Sequence, residues 1–358
     1  AGALLCALWW AAASPAWALG IALMLGLLLA ADGLILSSLP RLRISFGHVQ
    51  PQLFILFIPR AAVLAAGGIL ALWLPPALAF AAAALVNLAA VGALAWGALV
   101  ESRQPRLTEM SLALDSLPNG PAPIRLLHIS DLHIERLGRR EDELIRMVRS
   151  LSPDLILLTG DYVNLSSVDD PAAHAQARQL LASLSAPAGV FAVLGSPPVD
   201  RNSAPDFNGL AHIRLLRDEV ATLDLGEGRR IALLGLDCSH DIETDAAQLA
   251  RLASQGPADA PRILMYHSPD LMPIAPQHDI DLYLCGHTHG GQVRLPFYGA
   301  LITSSRLGKR FEMGHYQAGR THLYVSRGIG LEGLGAPRVR FLCRPEITLF
   351  SLSGRTYS

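Results

Sequence analysis

Charged side chains are almost missing from the first hundred residues, and this scarcity restricts most strongly what the chain can fold into. The charged residues there are Asp32, Arg41, Arg43 and Arg60. Apolar stretches at 17–36, 53–74 and 77–100 each reach about 20 residues, the length that crosses the hydrocarbon core of a bilayer. A water-soluble domain needs a polar surface that this segment lacks. We therefore predict an all-α transmembrane region over residues 1–100.

The apolar segment at 3–13 is shorter than these spans and ends at Ser14-Pro15. One interpretation is the remainder of a truncated fourth span, because the chain starts without Met. The other interpretation is a signal-like or amphiphilic segment.

Arginines are distributed unevenly between the two ends of the spans. Pro75-Pro76 joins the last two spans in a tight hairpin, so the loop at 37–52 and the chain from Glu101 lie on one side. The opposite turns carry no Lys or Arg. The first side carries Arg41, Arg43, Arg103 and Arg106. By the positive-inside rule, we expect the remainder of the chain on the cytoplasmic face of the membrane.

Charges become frequent beyond residue 100. Residues 101–123 mix charge, Pro and Gly, and predict a linker with one short strand at 112–114. From 124 to 358, apolar runs that fit buried strands alternate with helical segments, which is typical of an α/β layered domain. We predict strands at 124–130, 155–159, 190–194, 230–236, 263–266, 282–285, 322–326 and 346–352, and helices at 141–150 and 172–184.

Residue types that bind metals follow four of these strands. They occur in Asp131-Leu132-His133, in Gly160-Asp161, at His267, and in Gly286-His287-Thr288-His289-Gly290-Gly291-Gln292. Side chains at the carboxyl ends of adjacent strands converge in space. Carboxylate and imidazole together suit Mn, Fe and Zn, and two such ions about 3.5–4 Å apart can hold a phosphoryl group and a hydroxide. The pattern therefore predicts a two-metal hydrolytic site.

These blocks resemble the calcineurin-like metallophosphoesterases, and most of all the bacterial membrane-associated branch whose site ends in GHTHGGQ. Further similar blocks lie at 294–297, 324–328 and 344–347, so the resemblance covers roughly residues 122–352. It implies a two-sheet sandwich flanked by helices in a protein of the bacterial cell membrane. It also implies hydrolysis of a phosphate ester or pyrophosphate by a hydroxide that bridges two divalent ions of Mn, Fe or Zn.

The resemblance assigns a role to each residue of these blocks. Asp161, His287 and His289 would be catalytic residues as well as metal ligands. The implied ligands are Asp131, His133 and His289 for the first metal, His267 and His287 for the second, Asp161 as the bridge, and Ser196 at a position where the family has Asn.

The block around Ser196 departs from the family pattern. Ser196 stands at the position of the ligand Asn, and Pro197 at that of the His that helps the leaving group to depart. A Ser hydroxyl is a weak replacement for an amide oxygen, and Pro has no side-chain proton to give. Asp200 and Asn202 are the nearby candidates for a substitute. Two outcomes stay open: a substrate whose leaving group needs little acid catalysis, or a weakened or inactive relative.

Some basic and imidazole side chains lie outside the ligand blocks. Arg306, Arg310 and Arg327 have two interpretations, a solvated surface or a site for phosphate oxygens that Arg can bind in bidentate fashion. His212 and His240 have no motif around them. We expect both to be solvated or packed, although a loop could bring either one to the site.

The sequence favours a membrane-anchored phosphoesterase that acts on a phosphorylated small molecule or a lipid-linked substrate. The alternative is a membrane protein whose degraded site binds a phosphorylated ligand without catalysis. A phosphoprotein phosphatase is less consistent, because Gly160-Asp161 continues as Tyr162-Val163-Asn164 rather than as Asp-Arg-Gly. We expect no nucleic-acid partner, since the formal net charge is −1 and the chain has no extended basic stripe.

Overall fold

The computed structural model describes residues 2–332 and 338–354. Its N-terminal part consists of helices α1 (Gly2–Ala12), α2 (Pro15–Ser38), α3 (Val49–Leu70) and α4 (Pro76–Leu99). Proline occupies the first turn of α2 and of α4, where its missing N–H costs no hydrogen bond. Three apolar helices are long enough to cross a membrane, at Pro15–Ser38, Val49–Leu70 and Pro76–Arg103. They correspond to the three spans predicted from the sequence.

A buried ion pair joins the three long helices. Arg60 of α3 binds both carboxylate oxygens of Asp32 of α2, at 2.5 Å each. Arg60 also donates to the backbone oxygen of Asn87 of α4 at 3.2 Å. Because an unpaired charge is costly in apolar surroundings, these bonds fix how the helices face one another.

The remaining chain alternates strands and helices, as predicted. The strands are β1 (Arg106–Leu114), β2 (Ile124–Ile129), β3 (Leu155–Leu158), β4 (Val190–Ala192), β5 (Ile213–Leu215), β6 (Glu219–Asp224), β7 (Arg230–Gly235), β8 (Arg262–Met265), β9 (Leu282–Cys285), β10 (Arg294–Leu295), β11 (Gly299–Ala300), β12 (Gly314–Ala318), β13 (Thr321–Val325) and β14 (Glu346–Gly354). The helices are α5 (Arg139–Leu151), α6 (Pro171–Ala182), α7 (Pro197–Asp200) and α8 (Ile242–Gln255).

Two six-stranded sheets form the core of this part. Their strand orders are β1-β14-β2-β3-β4-β5 and β12-β13-β9-β8-β7-β6. Apolar side chains from the facing surfaces, such as Leu157 and Leu284, share one buried cluster. Helices α5 and α6 cover the outer face of the first sheet, and α8 covers that of the second. This is the helix-flanked two-sheet sandwich that the resemblance implied.

The segment expected as a linker contributes more to the sheet than its sequence indicated. Arg106–Leu114 pairs in parallel with β14 over nine residues. Leu112 and Leu114 are buried between the two sheets. The polar residues Thr108, Glu109 and Ser111, which precede these leucines, obscured a strand of which one face is apolar.

A short segment at 338–343, here called the strap, lies between the N-terminal helices and the sheets. Val339 packs in one cluster with Leu36 of α2 and Leu94 of α4. The backbone N–H of Arg340 approaches the carbonyl oxygen of Gly97 at 3.4 Å. Glu101 accepts hydrogen bonds from the backbone amides of Leu342 and Cys343. The end of α4 is therefore bound directly to the strap.

Candidate metal centre

The predicted ligand blocks meet at the carboxyl ends of the central strands. His133 follows β2 and His289 follows β9, and their Nε2 atoms are 3.0 Å apart. Asp161, which follows β3, places Oδ2 3.5 Å from Nε2 of His133 and 3.2 Å from Nε2 of His267. All four of these side chains are buried. The sheets thus bring together residues that are up to 156 positions apart in the sequence.

The backbone of the ligand blocks is held in an uncommon conformation. Left-handed φ values occur at Asp131 (52°), His133 (42°), Asp161 (57°), His287 (71°) and His289 (51°). Residues other than glycine rarely adopt this conformation, and it concentrates at functional sites. Close packing also requires glycine nearby, because a Cβ atom on Gly286 would overlap the Asp131 carboxylate and one on Gly195 would overlap that of Asp161.

Among the described residues, three polar atoms at the centre are buried without a hydrogen-bond partner, Oδ2 of Asp131, Nδ1 of His133 and Nε2 of His267. Nδ1 of His267 lies 2.7 Å from the carbonyl oxygen of Thr159 and donates to it, so Nε2 is the nitrogen that offers a lone pair when the ring is neutral. This is the usual arrangement of a metal-binding imidazole. Buried polar atoms are rarely left unpaired, so the residues fit the divalent ions that the sequence pattern predicts.

Two groups of potential ligands are present among the described residues. One consists of Asp131, His133 and His289, and the other of Asp131, Asp161 and His267, with the ligand atoms of each group within 4.8 Å of one another. His287 belongs to neither group. Its Nε2 lies 3.2 Å from the carbonyl oxygen of Ser304, while Nδ1 faces Ser196 Oγ at 3.4 Å.

Burial keeps most of these imidazoles uncharged. It lowers the pKa of His133 to about 3 and holds the pKa values of His287 and His289 well below the usual range. They are therefore neutral at pH 7, the form that binds a metal. His267 differs: burial lowers its pKa most, but the carboxylates of Asp161 and Asp131 and the carbonyl oxygen of Thr159 together outweigh burial and raise the pKa of His267 to about 10. Burial raises the pKa of Asp161 to about 7.

Asp200 is not a replacement ligand but holds the backbone of the ligand loops. Its carboxylate accepts hydrogen bonds from the backbone amides of Asp161 and Gly195 at 2.7 Å and from that of Tyr162 at 2.9 Å. Asn202 also lies away from the centre, with its amide bonded to Val168 and Asp169. Neither candidate substitute from the sequence therefore points to the ligands.

The three candidate phosphate-binding arginines differ in exposure and in the side chains that they contact. Arg327 forms an ion pair with Glu346 that engages its guanidinium. Arg306 is exposed and lies on the side of His287, because it comes two residues after Ser304, whose carbonyl oxygen is 3.2 Å from Nε2 of His287. Arg310 is exposed, with its guanidinium 5.2 Å from the ring centre of Phe311.

Two further side chains beside the ligands were missed from the sequence, and a third, His240, was expected to be solvated or packed unless a loop brought it to the site. Arg340 is fully buried, with Nη2 3.3 Å from Nδ1 of His289. Glu332 places Oε2 3.4 Å from Nε2 of His289. Neither residue follows a strand, so no positional signal marked them. His240 lies 3.2 Å from Ser196 Oγ through its Nε2, and its place shortly after β7 was a signal that could have identified it.

Comparison with known proteins agrees with this geometry. Residues 124–196 match the model of the family described as calcineurin-like phosphoesterase. The uncharacterized metallophosphoesterase YkuE of Bacillus subtilis is 32% identical over 283 residues, which cover 76% of this chain and 94% of that protein. The phosphodiesterase YaeI of Escherichia coli is 32% identical, covering 64% of this chain and 83% of its own length.

A third relative is named after its substrate. The UDP-2,3-diacylglucosamine pyrophosphatase LpxG of Chlamydia muridarum is 25% identical over 306 residues, which cover 71% of this chain and 91% of that protein. YkuE is 32% identical to this chain over 94% of its own length, and the buried carboxylate and imidazole groups described above could hold metal ions. The chain therefore belongs to the calcineurin-like phosphoesterase family.

Proposed function

We propose that this protein is a membrane-anchored, metal-dependent phosphoesterase that cleaves a lipid-linked phosphate ester or pyrophosphate at the cytoplasmic face. The observation that carries this proposal is the strap, which contacts the apolar helices on one side and His289 on the other. A reaction centre bound to the end of α4 suits a substrate that is itself held in a membrane. The name of the relative LpxG, a pyrophosphatase of a diacylated sugar nucleotide, supports the same substrate class.

The residues divide into ligands and supports. Asp131, His133 and His289 would hold one divalent ion, and Asp161, His267 and His287, together with Ser196, the other. When bound, such ions stabilise charge on a phosphoryl group and lower the pKa of water, which becomes a nucleophile at neutral pH. Asp200 fixes the loops that carry Asp161 and Ser196, and Arg340 orients the ring of His289.

A hairpin next to the ligands adds support for a membrane-bound substrate. It directly follows the GHTHGGQ block and consists of β10, β11 and the turn between them. Val293 at its base packs in the cluster that contains Leu36 and Leu94 of the apolar helices. The exposed apolar side chains of the hairpin region are Leu295, Phe297, Tyr298, Leu301 and Ile302. Such a patch fits contact with lipid better than contact with water.

The test uses the full chain in lipid nanodiscs with Mn²⁺ and compares two substrates, a lipid-linked pyrophosphate and soluble bis(p-nitrophenyl) phosphate. We expect turnover of the lipid substrate, and its loss in Asp161→Asn. The double substitution Phe297→Ser/Ile302→Ser should reduce turnover of the lipid substrate while leaving the soluble one unchanged. Rapid cleavage of the soluble diester with no cleavage of the lipid substrate would contradict the proposal.

Pro197 favours a second candidate, a membrane protein that binds a phosphorylated lipid without cleaving it. The family position that supplies a proton to the leaving group has no acidic side chain here. In that case the full chain would bind the lipid-linked pyrophosphate, and Asp161→Asn would change its affinity, but no product would form with any added metal.

A further inference from the structure

We propose that His240 is a ligand of the second metal ion and takes the place of the Asn that Ser196 has replaced. This inference rests on the proposed function only in assuming that the centre takes two divalent ions. It concerns a residue outside every family block of the sequence.

The topology gives the first argument. In the second sheet β7, β8 and β9 are adjacent and parallel. His267 comes shortly after β8 and His287 after β9, while His240 comes shortly after β7. Parallel strands deliver the residues that follow them to the same edge of the sheet. Three neighbouring strands therefore each bring one imidazole to this side of the centre.

The distances give the second argument. Ser196 Oγ lies 3.2 Å from Nε2 of His240 and 3.4 Å from Nδ1 of His287. The ring centres of His240 and His287 are 4.9 Å apart, and those of His287 and His267 are 5.1 Å apart. Two ring nitrogens thus lie within 3.4 Å of the Ser196 hydroxyl, at the position where the family has its Asn ligand.

The backbone and the ring orientation give the third argument. His240 has a φ of 60°, within the range of the other ligand residues. Its Nδ1 lies 3.6 Å from Sγ of Cys238, so that Nε2 is the nitrogen directed to Ser196. Imidazole suits Mn, Fe and Zn, and it is a better neutral ligand than a hydroxyl group. An added His ligand therefore compensates for the weak donor at position 196.

The experiment counts metal ions and needs no substrate. The full chain in detergent is saturated with Mn²⁺ and desalted, and bound metal is measured by mass spectrometry for wild type, His240→Ala and His212→Ala, an exposed histidine outside the centre. We expect two ions in wild type and in His212→Ala, and one in His240→Ala. The affinity for the second ion should fall by more than the ~10–100-fold caused by losing a partner outside the ligand set.

A rescue variant separates a lost ligand from a misfolded protein. The double substitution Ser196→Asn/His240→Ala restores the amide of the family and should recover the second ion. Two ions in His240→Ala, a wild type that holds fewer than two, or a double variant that stays at one ion would each overturn the inference. The metal count is independent of the turnover assay described above, so a wild type that is inactive in that assay but loses one ion in His240→Ala would refute the proposed function and uphold this inference. Two bound ions in a His240→Ala variant that is active in the turnover assay would uphold the proposed function and refute this inference.

Discussion

At the scale of single residues, Asp161 and His267 form a buried pair in which both pKa values are raised. The pKa of His267 is raised to about 10 and that of Asp161 to about 7, so the pair retains a proton at pH 7.5 when no metal is bound. A metal must displace this proton, because only neutral imidazole is a ligand.

We therefore expect metal binding at pH 7.5 to release about one proton and the affinity to rise with pH up to the raised pKa of His267. Titration calorimetry with Mn²⁺ in two buffers of different ionisation enthalpy measures this release. Identical binding enthalpies in the two buffers would refute the expectation. His267→Gln, which has no proton to lose, is the matched control.

Asp200 is a supporting residue, and its substitution should lower both thermal stability and the affinity for metal. Asp200→Asn keeps the size of the side chain but removes acceptor capacity from a carboxylate that binds three backbone amides. A buried amide left unpaired costs about 1–3 kcal/mol. We expect a lower thermal unfolding midpoint and weaker Mn²⁺ binding. Asp259→Asn, at an exposed ion pair with Arg230, should change neither quantity.

The clustering of the candidate ligands was predictable because each lies close after an apolar strand within a short recognisable block. Arg340 and Glu332 were not, since their approach to His289 depends on how distant segments pack. Asp200 was considered as a substitute ligand, but its carboxylate faces backbone amides, an orientation that no sequence pattern encodes.

At the scale of elements, the contact between α4 and the strap links the apolar helices to the metal ligands. A Cβ atom on Gly97 would lie 2.7 Å from the carbonyl oxygen of Arg340, whereas one on Gly92 of the same helix would meet no atom within 4 Å. The first position therefore requires glycine for close approach, and the second does not.

We expect Gly97→Val to displace the strap and to weaken Mn²⁺ binding by roughly 10–100-fold, the range for disturbed partners of metal ligands. Gly92→Val changes helix propensity by the same amount but should leave Mn²⁺ affinity unaltered. Metal titration of both variants in detergent gives the comparison. Equal affinities in the two variants would show that the strap does not transmit the change.

Elements with strong apolar runs were predicted to within a few residues, as for β9 at Leu282–Cys285. β1 was underestimated, since it is stabilised by pairing with β14 from the other end of the chain. Long-range pairing of this kind has no local signature.

At the scale of the whole molecule, the arginine distribution predicts which side of the membrane each loop occupies. Leu74 lies in the turn between α3 and α4, and Asn119 lies in the catalytic half, and both are exposed. In intact cells, a membrane-impermeant maleimide should label Leu74→Cys and should label Asn119→Cys only after lysis. The four native thiols are half-buried or buried, so wild type serves as the background. Labelling of Asn119→Cys in intact cells would reverse the orientation.

The strap makes the two halves of the molecule interdependent. The backbone amide of Arg338 is paired with Gln52 of α3, and Arg338 also donates to Ser45 in the loop before that helix. A cut near residue 100 would remove these partners and expose Val339 to water. The helices are thus part of the scaffold of the candidate metal centre. If gene fission separated the two halves, the second half would lack the contacts that hold the strap in place.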